Sequence, residues 1–492
     1  MRLVPVRSRF STPTPLQRSI PRRRSKSAMG YFVVFFMLFA AGAALITAVI
    51  DPLQFYHRPS WYVPLLSEQE RYQNPGLALH YDYDTIIIGT SMTENFLPSE
   101  TGQALGGTVL KLSMEGSTVD EHYKMAALAL RTGKVKQVLW GLDYFSLKLS
   151  SGADSDFPDY LYDGKLWTDY RYWFNYSVYK QFGSSLKAML AGESGPDLEH
   201  LNNWDSKVTY GRELVAKSFL KAGETEQYFG LNEENVDELK EHFNTYILPL
   251  VKDYPDVKFM FYYPPYSIMR QTAWYAGNPE RFANQLIMRK WMYEQFKTYS
   301  NVRLYDFQTA QDWTFNLDLY KDLSHHSGKL NQSIAEAIGR DDPAYRVTDL
   351  NVDALNELLD NQAKSAAVDA EGNVKSFHVL WNGKPFTYSC RYMQQNELWI
   401  SAKEAGAKIG ADVVWDADTR TAALSTGSHS VQFRIGSKTA IVNGTVRELK
   451  SAPLLLGGKA LVPLSFVAEA FGNSVSVAES GDEIELIISG SD

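Results

Sequence analysis

Residues 83–96 read YDTIIIGTSMTENF, an apolar run that ends abruptly in Gly89-Thr90-Ser91. The three consecutive isoleucines at 86–88 predict a strand buried on both faces, as in a parallel sheet covered by helices. Gly89 permits a tight turn after that strand. Ser91 is therefore expected at the carboxyl end of a strand and near a helix N-terminus, where open α/β sheets bind their ligands. A plain Ser/Thr turn that caps a helix fits the same residues.

A second polar group lies far downstream, where Asp322-Leu323-Ser324-His325-His326 precedes a helix-like stretch at 329–338. The spacing from Asp322 to His325 lets a carboxylate bind the imidazole, which fixes the tautomer and stabilises the imidazolium. His326 points elsewhere on such a turn and is the second candidate for a general base. We therefore predict that Ser91, Asp322 and His325 form a catalytic set.

The order Ser91, Asp322, His325 resembles the SGNH (GDSL-like) hydrolase and acyltransferase superfamily. It is most similar to the membrane-anchored branch that includes the D-alanyl transfer protein of teichoic acid synthesis and the alginate acetyltransferases. This resemblance implies a flavodoxin-like three-layer α/β sandwich with a parallel sheet. It also implies that Ser91 is the nucleophile, His325 the base and Asp322 the residue that orients the base.

Two further stretches can complete such a site. Gly116, in LSMEGST at 112–118, occupies the block whose backbone N–H helps to hold the oxyanion in the resemblance. Gly141-Leu142-Asp143 lies where the superfamily usually has Gly-x-Asn, so Asp143 is a departure. An ionised carboxylate cannot donate a hydrogen bond to an oxyanion. Asp143 must therefore be protonated, turned away or used for another task.

The amino terminus has the features of a membrane anchor. Residues 1–29 hold seven Arg and one Lys with no acidic residue, and 31–50 is an uncharged apolar run. Twenty apolar residues span a bilayer as a helix, and the positive-inside rule makes the basic tail cytoplasmic. We expect a single-pass protein of the cell membrane with residues 51–492 outside. A cleavable signal peptide is the alternative, since small residues occur at 40–44.

Charge and cysteine content limit the partners. The chain carries −8 and the basic tail +8, so residues 30–492 carry −16, which argues against nucleic acid as a partner. Cys390 is the only cysteine, so the chain can form no intrachain disulfide. No His, Asp or Glu cluster has the spacing of a metal site, and we expect no cofactor.

Strand-like and helix-like stretches alternate from residue 83 to residue 338, which predicts an α/β domain at 51–338. Strands are expected at 109–112, 136–140, 257–262 and 302–305, and helices at 120–130 and 279–299. The pattern breaks into aromatic and polar residues at about 150–230, interpreted as an insertion over the carboxyl edge of the sheet. Its aromatic residues could stack on sugars or form the core of the insertion.

Residues 339–376 are interpreted as a connector with a helix at 352–367, and 377–492 as a small β-rich domain with an internal repeat. Strand-then-helix copies begin at Leu398 and Ala460, and strands resume at 413–416 and 475–477. Together with Trp415-Asp416, this pattern resembles the copper amine oxidase N-terminal-like (stalk) domain of surface proteins from spore-forming Gram-positive bacteria. The resemblance implies an adhesive or spacing role and no copper.

These observations predict a membrane-anchored, extracytoplasmic serine esterase or O-acyltransferase. Its expected partners are a cell-surface polysaccharide or wall polymer and an acyl donor. The alternative, from another class, is a catalytically silent surface protein that binds wall or glycan. Assistance to a polysaccharide synthesis complex is a third reading.

Overall fold

The computed structural model describes residues 22–59, 65–150, 157–193, 197–225 and 235–490, without the side chains of 22–26 and 222–225. Residues 1–21 of the predicted basic tail at 1–29, and parts of the insertion, lie outside the described residues. The helices are α1 Arg22–Ile50, α2 Glu70–His80, α3 Pro98–Leu105, α4 Val119–Arg131, α5 Tyr170–Trp173, α6 Tyr176–Ala191, α7 Arg212–Thr225, α8 Val236–Tyr246, α9 Leu248–Asp253, α10 Ile268–Gly277, α11 Pro279–Phe296, α12 Gln311–Thr314, α13 Gly328–Gly339, α14 Val352–Ser365, α15 Ala402–Ile409 and α16 Leu464–Ala470.

The first domain is built on a five-stranded parallel sheet with the order β2-β1-β3-β4-β5. Doubly wound, flavodoxin-like sheets have this order, and ligands bind them at the carboxyl ends of the strands. The predicted strands are all present, within one or two residues. Their bounds are β1 Thr85–Ile88, β2 Val109–Lys111, β3 Gln137–Gly141, β4 Lys258–Tyr263 and β5 Val302–Asp306.

Alternate residues of the central strands enter two separate cores, because successive side chains of a strand point to opposite faces. Ile86 and Ile88 belong to the core that includes Met125 of α4 and Phe296 of α11. Ile87 belongs to the core that includes Ile334 of α13. Helices therefore cover both faces of the sheet, and the apolar run at 86–88 is buried on both sides as expected.

The insertion divides its aromatic residues between its own core and its surface. Tyr160, Tyr162 and Tyr172 are buried, whereas Trp167 and Tyr170 are exposed. The Tyr172 hydroxyl donates to Asp51 Oδ1 at 2.6 Å, which ties α5 to the segment that leaves α1. The first part of the insertion thus packs on the lead-in of the domain. Its later part, around residue 204, reaches the carboxyl edge of the sheet, where Trp204 packs against His325.

The stretch interpreted as a connector carries tertiary structure of its own. Leu359 and Ala363 of α14 are fully buried and pack with Met92 and Tyr266 of the first domain. Ala366 and Val368, which follow α14, start the sheet of the second domain and also pack against Ile268 and Met269. The amphipathic pattern of 352–365 therefore serves packing onto the first domain, and the second sheet begins earlier than residue 377.

The carboxyl-terminal region is β-rich and contains two sheets. In a mixed sheet the strand order is β16-β17-β10-β9-β6-β7-β19-β18, with β8 beside β7, and a five-stranded antiparallel meander runs from β11 to β15. Both predicted strand-helix copies are present, as β10-α15 and β17-α16. The strands are β6 Ala366–Val368, β7 Val374–Trp381, β8 Lys384–Pro385, β9 Tyr392–Gln394, β10 Glu397–Ser401, β11 Asp412–Asp416, β12 Thr421–Ser425, β13 Ser430–Arg434, β14 Thr439–Val442, β15 Thr445–Glu448, β16 Leu454–Leu456, β17 Lys459–Pro463, β18 Asn473–Ser480 and β19 Glu483–Gly490.

Helix α1 is the apolar amino-terminal element. Its stretch Ser27–Ile50 is long and apolar enough to cross a membrane, and the side chains of 28–39 are exposed. Such a helix is consistent with a signal anchor or a single-pass membrane helix.

Candidate active site

Ser91 lies immediately after β1, as the sequence predicts. It opens a 3-10 turn, Ser91–Thr93, which Thr90 caps by accepting the Met92 N–H with Oγ1. Glycine is needed at position 89 because a Cβ there would lie 2.5 Å from Cγ2 of Thr93. The close turn brings Ser91 to the carboxyl edge of the sheet with its side chain half-buried.

His325 reaches Ser91 from 234 residues further along the chain, and Asp322 contacts His325. Ser91 Oγ lies 2.9 Å from His325 Nε2, and His325 Nδ1 lies 2.9 Å from Asp322 Oδ2. The backbone N–H groups of Ser324 and His325 donate to Asp322 Oδ1 at 2.8 and 2.9 Å. This turn, in which an aspartate binds the N–H groups two and three residues on, is local and follows from the sequence.

Asp322 is held in its charged form. Burial alone would raise its pKa, but hydrogen bonds from the His325 ring and from two backbone N–H groups hold the pKa well below the usual range. An ionised Asp322 accepts the Nδ1–H of His325 and leaves Nε2 free to accept a proton from Ser91. The three side chains can therefore move the serine proton onto the imidazole.

His326, the second candidate base, lies elsewhere. Its side chain is fully buried, its Nδ1 lies 3.2 Å from the Ser327 carbonyl, and burial lowers its pKa to about 4. His325, by contrast, lies at the site, and the Trp204 ring packs edge-on against its ring with the centroids 5.6 Å apart. The structure thus brings His325 to Ser91 and turns His326 inward.

Gly116 lies on a segment that runs beside the Ser91 turn. The Leu112 N–H donates to the Ile87 carbonyl at 3.0 Å and the Met114 N–H to the Gly89 carbonyl at 2.9 Å, which extends the parallel pairing past β2. Gly116 has φ +59°, a left-handed conformation that favours glycine. In the part of the chain that the structure describes, neither the Gly116 N–H nor the Ser91 N–H has a protein acceptor.

Asp143 does not fit the expected place among oxyanion donors. Its carboxylate is fully buried and accepts from Thr90 Oγ1 at 2.5 Å on one oxygen and from the Tyr266 hydroxyl on the other. Burial raises its pKa to about 6, against the lowering effects of those two hydroxyls and of the His325 charge. Asp143 is turned away from the role of a donor and fastens the Thr90 turn to the loop after β4.

A buried carboxyl pair next to the site escaped the sequence analysis. Glu94, three residues after Ser91, hydrogen-bonds the Glu70 carboxyl, and Glu70 accepts the Glu115 N–H. Burial, together with the Glu70 charge, raises the pKa of Glu94 far above the usual range. The pair connects the Ser91 turn to the turn of Gly116. The signal in the sequence is slight: Glu94 is an acidic residue between the apolar residues Met92 and Phe96.

Lys111 is another buried charge below this turn. Its Nζ donates to the carbonyl oxygens of Glu94 and Phe96, the latter at 3.1 Å, and burial lowers its pKa to about 8. By donating to both carbonyl oxygens, Lys111 holds in place the stretch of chain that follows Ser91.

Among the described residues, no group of three or more His, Cys, Asp or Glu could hold a metal ion.

Comparisons with known proteins identify the carboxyl-terminal region. Residues 380–486 match the family model of the copper amine oxidase N-terminal domain. This region is a copper amine oxidase N-terminal-like domain. The match confirms the resemblance of the β-rich repeat, and the mixed sheet and meander are the form that this domain takes here.

The other two comparisons are with curated proteins and with solved structures. No curated protein matches the chain. One solved structure that matches is described as a candidate platelet activating factor from Streptococcus pneumonia, at 14% identity and a TM-score of 0.31. The alignment covers 56% of this chain and 93% of that chain.

Proposed function

We propose that this chain is a membrane-anchored, extracytoplasmic SGNH-type serine esterase or O-acyltransferase that acts on a cell-surface polysaccharide or wall polymer. The observation that carries the proposal is the hydrogen-bonded series Ser91, His325, Asp322, assembled from distant segments at the carboxyl edge of a parallel sheet. A serine, a base and a residue that orients the base are the parts that acyl transfer needs.

In the first half-reaction, Ser91 Oγ attacks the ester carbonyl while His325 Nε2 takes its proton. Asp322 stabilises the imidazolium that results. The unengaged N–H groups of Ser91 and Gly116 are suited to the oxyanion, because preformed donors lower the energy of that charge. The carbon–oxygen bond to the leaving alcohol then breaks, and His325 protonates that alcohol, which leaves an acyl group on Ser91.

In the second half-reaction, His325 takes a proton from water or from a sugar hydroxyl, whose oxygen attacks the acyl-serine. Water yields hydrolysis and a sugar hydroxyl yields transfer by the same residues. The copper amine oxidase N-terminal-like domain would hold the enzyme near its polymer. Helix α1 would anchor it in the cell membrane with the basic tail inside.

The test is reaction of the full chain, in detergent micelles, with a fluorophosphonate probe, followed by mass spectrometry of the labelled peptide. We expect labelling at Ser91 that is lost in His325→Ala and retained in His326→Gln, because only His325 contacts the serine. Labelling that survives in His325→Ala, or a Ser91 that never reacts, would contradict an activated serine.

A second candidate is a catalytically silent surface protein that binds glycan. The buried carboxylate of Asp143, at a position where a donor is expected, and the half-exposed Trp204 beside His325 favour it. On this reading, wall polysaccharide binds equally to the native chain and to Ser91→Ala, and neither turns over any ester.

A further inference from the structure

The insertion carries an exposed apolar surface that neither its own core nor the proposed chemistry uses. Leu166, Trp167, Tyr170, Tyr176 and Leu190 are between 51% and 81% exposed. They lie on a single segment, 166–190, which includes α5 and α6. We call these five side chains the aromatic patch. Large apolar side chains that are exposed together on one segment indicate a contact surface.

The position of the aromatic patch relative to α1 suggests what covers it. Both α5 and α6 contact α1. The contact is at the last turn of α1, where Thr47 is buried and its Oγ1 lies 3.4 Å from the Tyr179 hydroxyl of α6. About 20 residues of helix cross the hydrocarbon of a bilayer. A span that starts at Ser27 therefore reaches the opposite interface near residue 47, where Tyr179 of α6 contacts α1.

The junction between α1 and the insertion is also firmly built. Asp51, directly after α1, is fully buried and accepts the backbone N–H groups of Phe55, Tyr56 and His57 at 2.7–2.9 Å. The Tyr172 hydroxyl donates to the same carboxylate. This junction fixes α5, which carries Tyr170 of the aromatic patch, against the carboxyl end of α1.

The amino-acid composition of this segment also fits contact with a membrane. The segment 165–190 holds Lys165, Arg171, Lys180 and Lys187 and a single acidic residue, Asp169, which is buried, in a chain whose exported part is strongly acidic. Tyr176 and Leu190 are fourteen residues apart on α6 and so share a face. Lys165 lies 5.9 Å from the Trp167 ring. Aromatic residues with adjacent cations are typical of surfaces at the headgroup level of anionic bilayers.

We propose that the aromatic patch inserts into the outer headgroup interface of the membrane that α1 spans, with its cations on anionic lipid headgroups. This inference rests on the anchoring part of the proposed function. The catalytic domain is then held at a constant height and orientation on the membrane surface, instead of moving freely on a flexible tether.

The test uses the full chain in vesicles of phosphatidylcholine and phosphatidylglycerol, with a nitroxide label on one introduced cysteine at a time. The background is Cys390→Ala; burial raises the pKa of the native Cys390 thiol to about 11. Leu166→Cys and Leu190→Cys place the label in the aromatic patch. Leu38→Cys places it in α1 as the deep reference, and Leu350→Cys, at a leucine that is 97% exposed just before α14, is the aqueous reference. Collision rates with oxygen and with a water-soluble nickel chelate give the depth of each label.

We expect the labels at 166 and 190 to lie about 5–10 Å below the headgroup boundary, between the deep label at 38 and the aqueous label at 350. If the labels at 166 and 190 have the aqueous depth of the label at 350 while the label at 38 is deep, the patch proposal is wrong and the membrane anchor is supported. If the label at 38 is also aqueous, both the patch proposal and the anchor are wrong. Line broadening at 166 that dilution with unlabelled protein removes would assign the patch to a second copy and overturn the membrane assignment.

Discussion

At the scale of single residues, three carboxyl groups in and beside the site differ in how readily they ionise. Asp322 is held ionised by hydrogen bonds, whereas burial raises the pKa values of Asp143 and Glu94. The pKa of each group depends on how many hydrogen bonds the carboxylate accepts and on how far burial removes it from water.

Asp143→Asn should remove the change in reactivity that the native chain shows near pH 6. Above about pH 6 Asp143 is ionised and can accept hydrogen bonds from both Thr90 and Tyr266. Below that pH the protonated carboxyl loses part of this bonding, and the Thr90 turn that carries Ser91 is held less firmly. An amide at 143 does not titrate in this range, so the step should be absent. The profile of probe reaction rate against pH measures this. Asp353→Asn, on the surface, should keep the native profile, and a step near pH 6 that persists in Asp143→Asn would contradict the coupling.

Glu94→Gln should flatten the fall of stability with rising pH. The native state holds a proton on Glu94 far above the pKa of about 4.3 at which an unfolded chain releases it. The stabilisation is therefore complete below that value and is lost as pH rises toward the folded pKa. A neutral amide at 94 does not titrate and can still donate to Glu70.

Urea unfolding between about pH 5 and pH 9 measures the difference, because linkage makes the slope of stability against pH report proton binding. The exposed Glu238→Gln is the matched control and should keep the native slope. If Glu94→Gln and the native chain lose stability in parallel, the buried pair does not share a proton.

At the scale of elements, the packing of α13 on α3 positions the second half of the site. Helix α13 begins three residues after His325, and Asn331 on it donates to the Met92 carbonyl at 3.0 Å, next to Ser91. Its last residue, Gly339, lies so close to α3 that a Cβ would be 2.1 Å from the Ala104 carbonyl oxygen. The close approach of these two helices therefore requires glycine.

Gly339→Ala should destabilise the chain by about 1–3 kcal/mol, since a backbone carbonyl cannot move aside without shifting α3. It should also slow the reaction of Ser91 with the probe, because α13 would move relative to the serine turn. Gly277, the last residue of α10, has nothing within 4 Å of its Cβ position. Gly277→Ala should therefore be neutral or stabilising by up to about 1 kcal/mol. Equal unfolding temperatures for the two variants would contradict this account.

At the scale of the whole molecule, the two domains meet through packed side chains. Arg391 of the second domain is buried, with its guanidinium 4.2 Å from the Tyr388 ring and 5.4 Å from the Tyr275 ring of α10. It donates to the Lys364 carbonyl at the end of α14. The copper amine oxidase N-terminal-like domain is thus joined to the first domain by a specific contact.

Arg391→Ala should lower the free energy of unfolding by roughly 2–4 kcal/mol, because it leaves a cavity between two rings and an unpaired carbonyl. Since the arginine joins the domains, calorimetry should also find their unfolding transitions further apart. Arg434→Ala removes an exposed arginine of the same domain and is the control. A variant that unfolds as the native chain does would contradict a coupling role for Arg391.

The sequence by itself determined the features that are local in the chain. Three β-branched residues before Gly89 specify a buried strand and a turn, the aspartate turn at 322–325 orients its own histidine, and the strand-helix repeat specifies the second domain. In each, the interacting groups are within a few residues of each other, so composition and spacing are enough to predict them.

Only the tertiary structure decided which distant groups meet. It placed His325 and not His326 on Ser91, gave Asp143 two hydroxyl donors, paired Glu94 with Glu70, and packed α14 on the first domain. For the same reason, the sequence left three alternatives for Asp143, and the structure turns its carboxylate away to accept from the Thr90 and Tyr266 hydroxyls. The state of a buried carboxyl depends on desolvation and on partners from other segments, and neither quantity is encoded in the residues next to it.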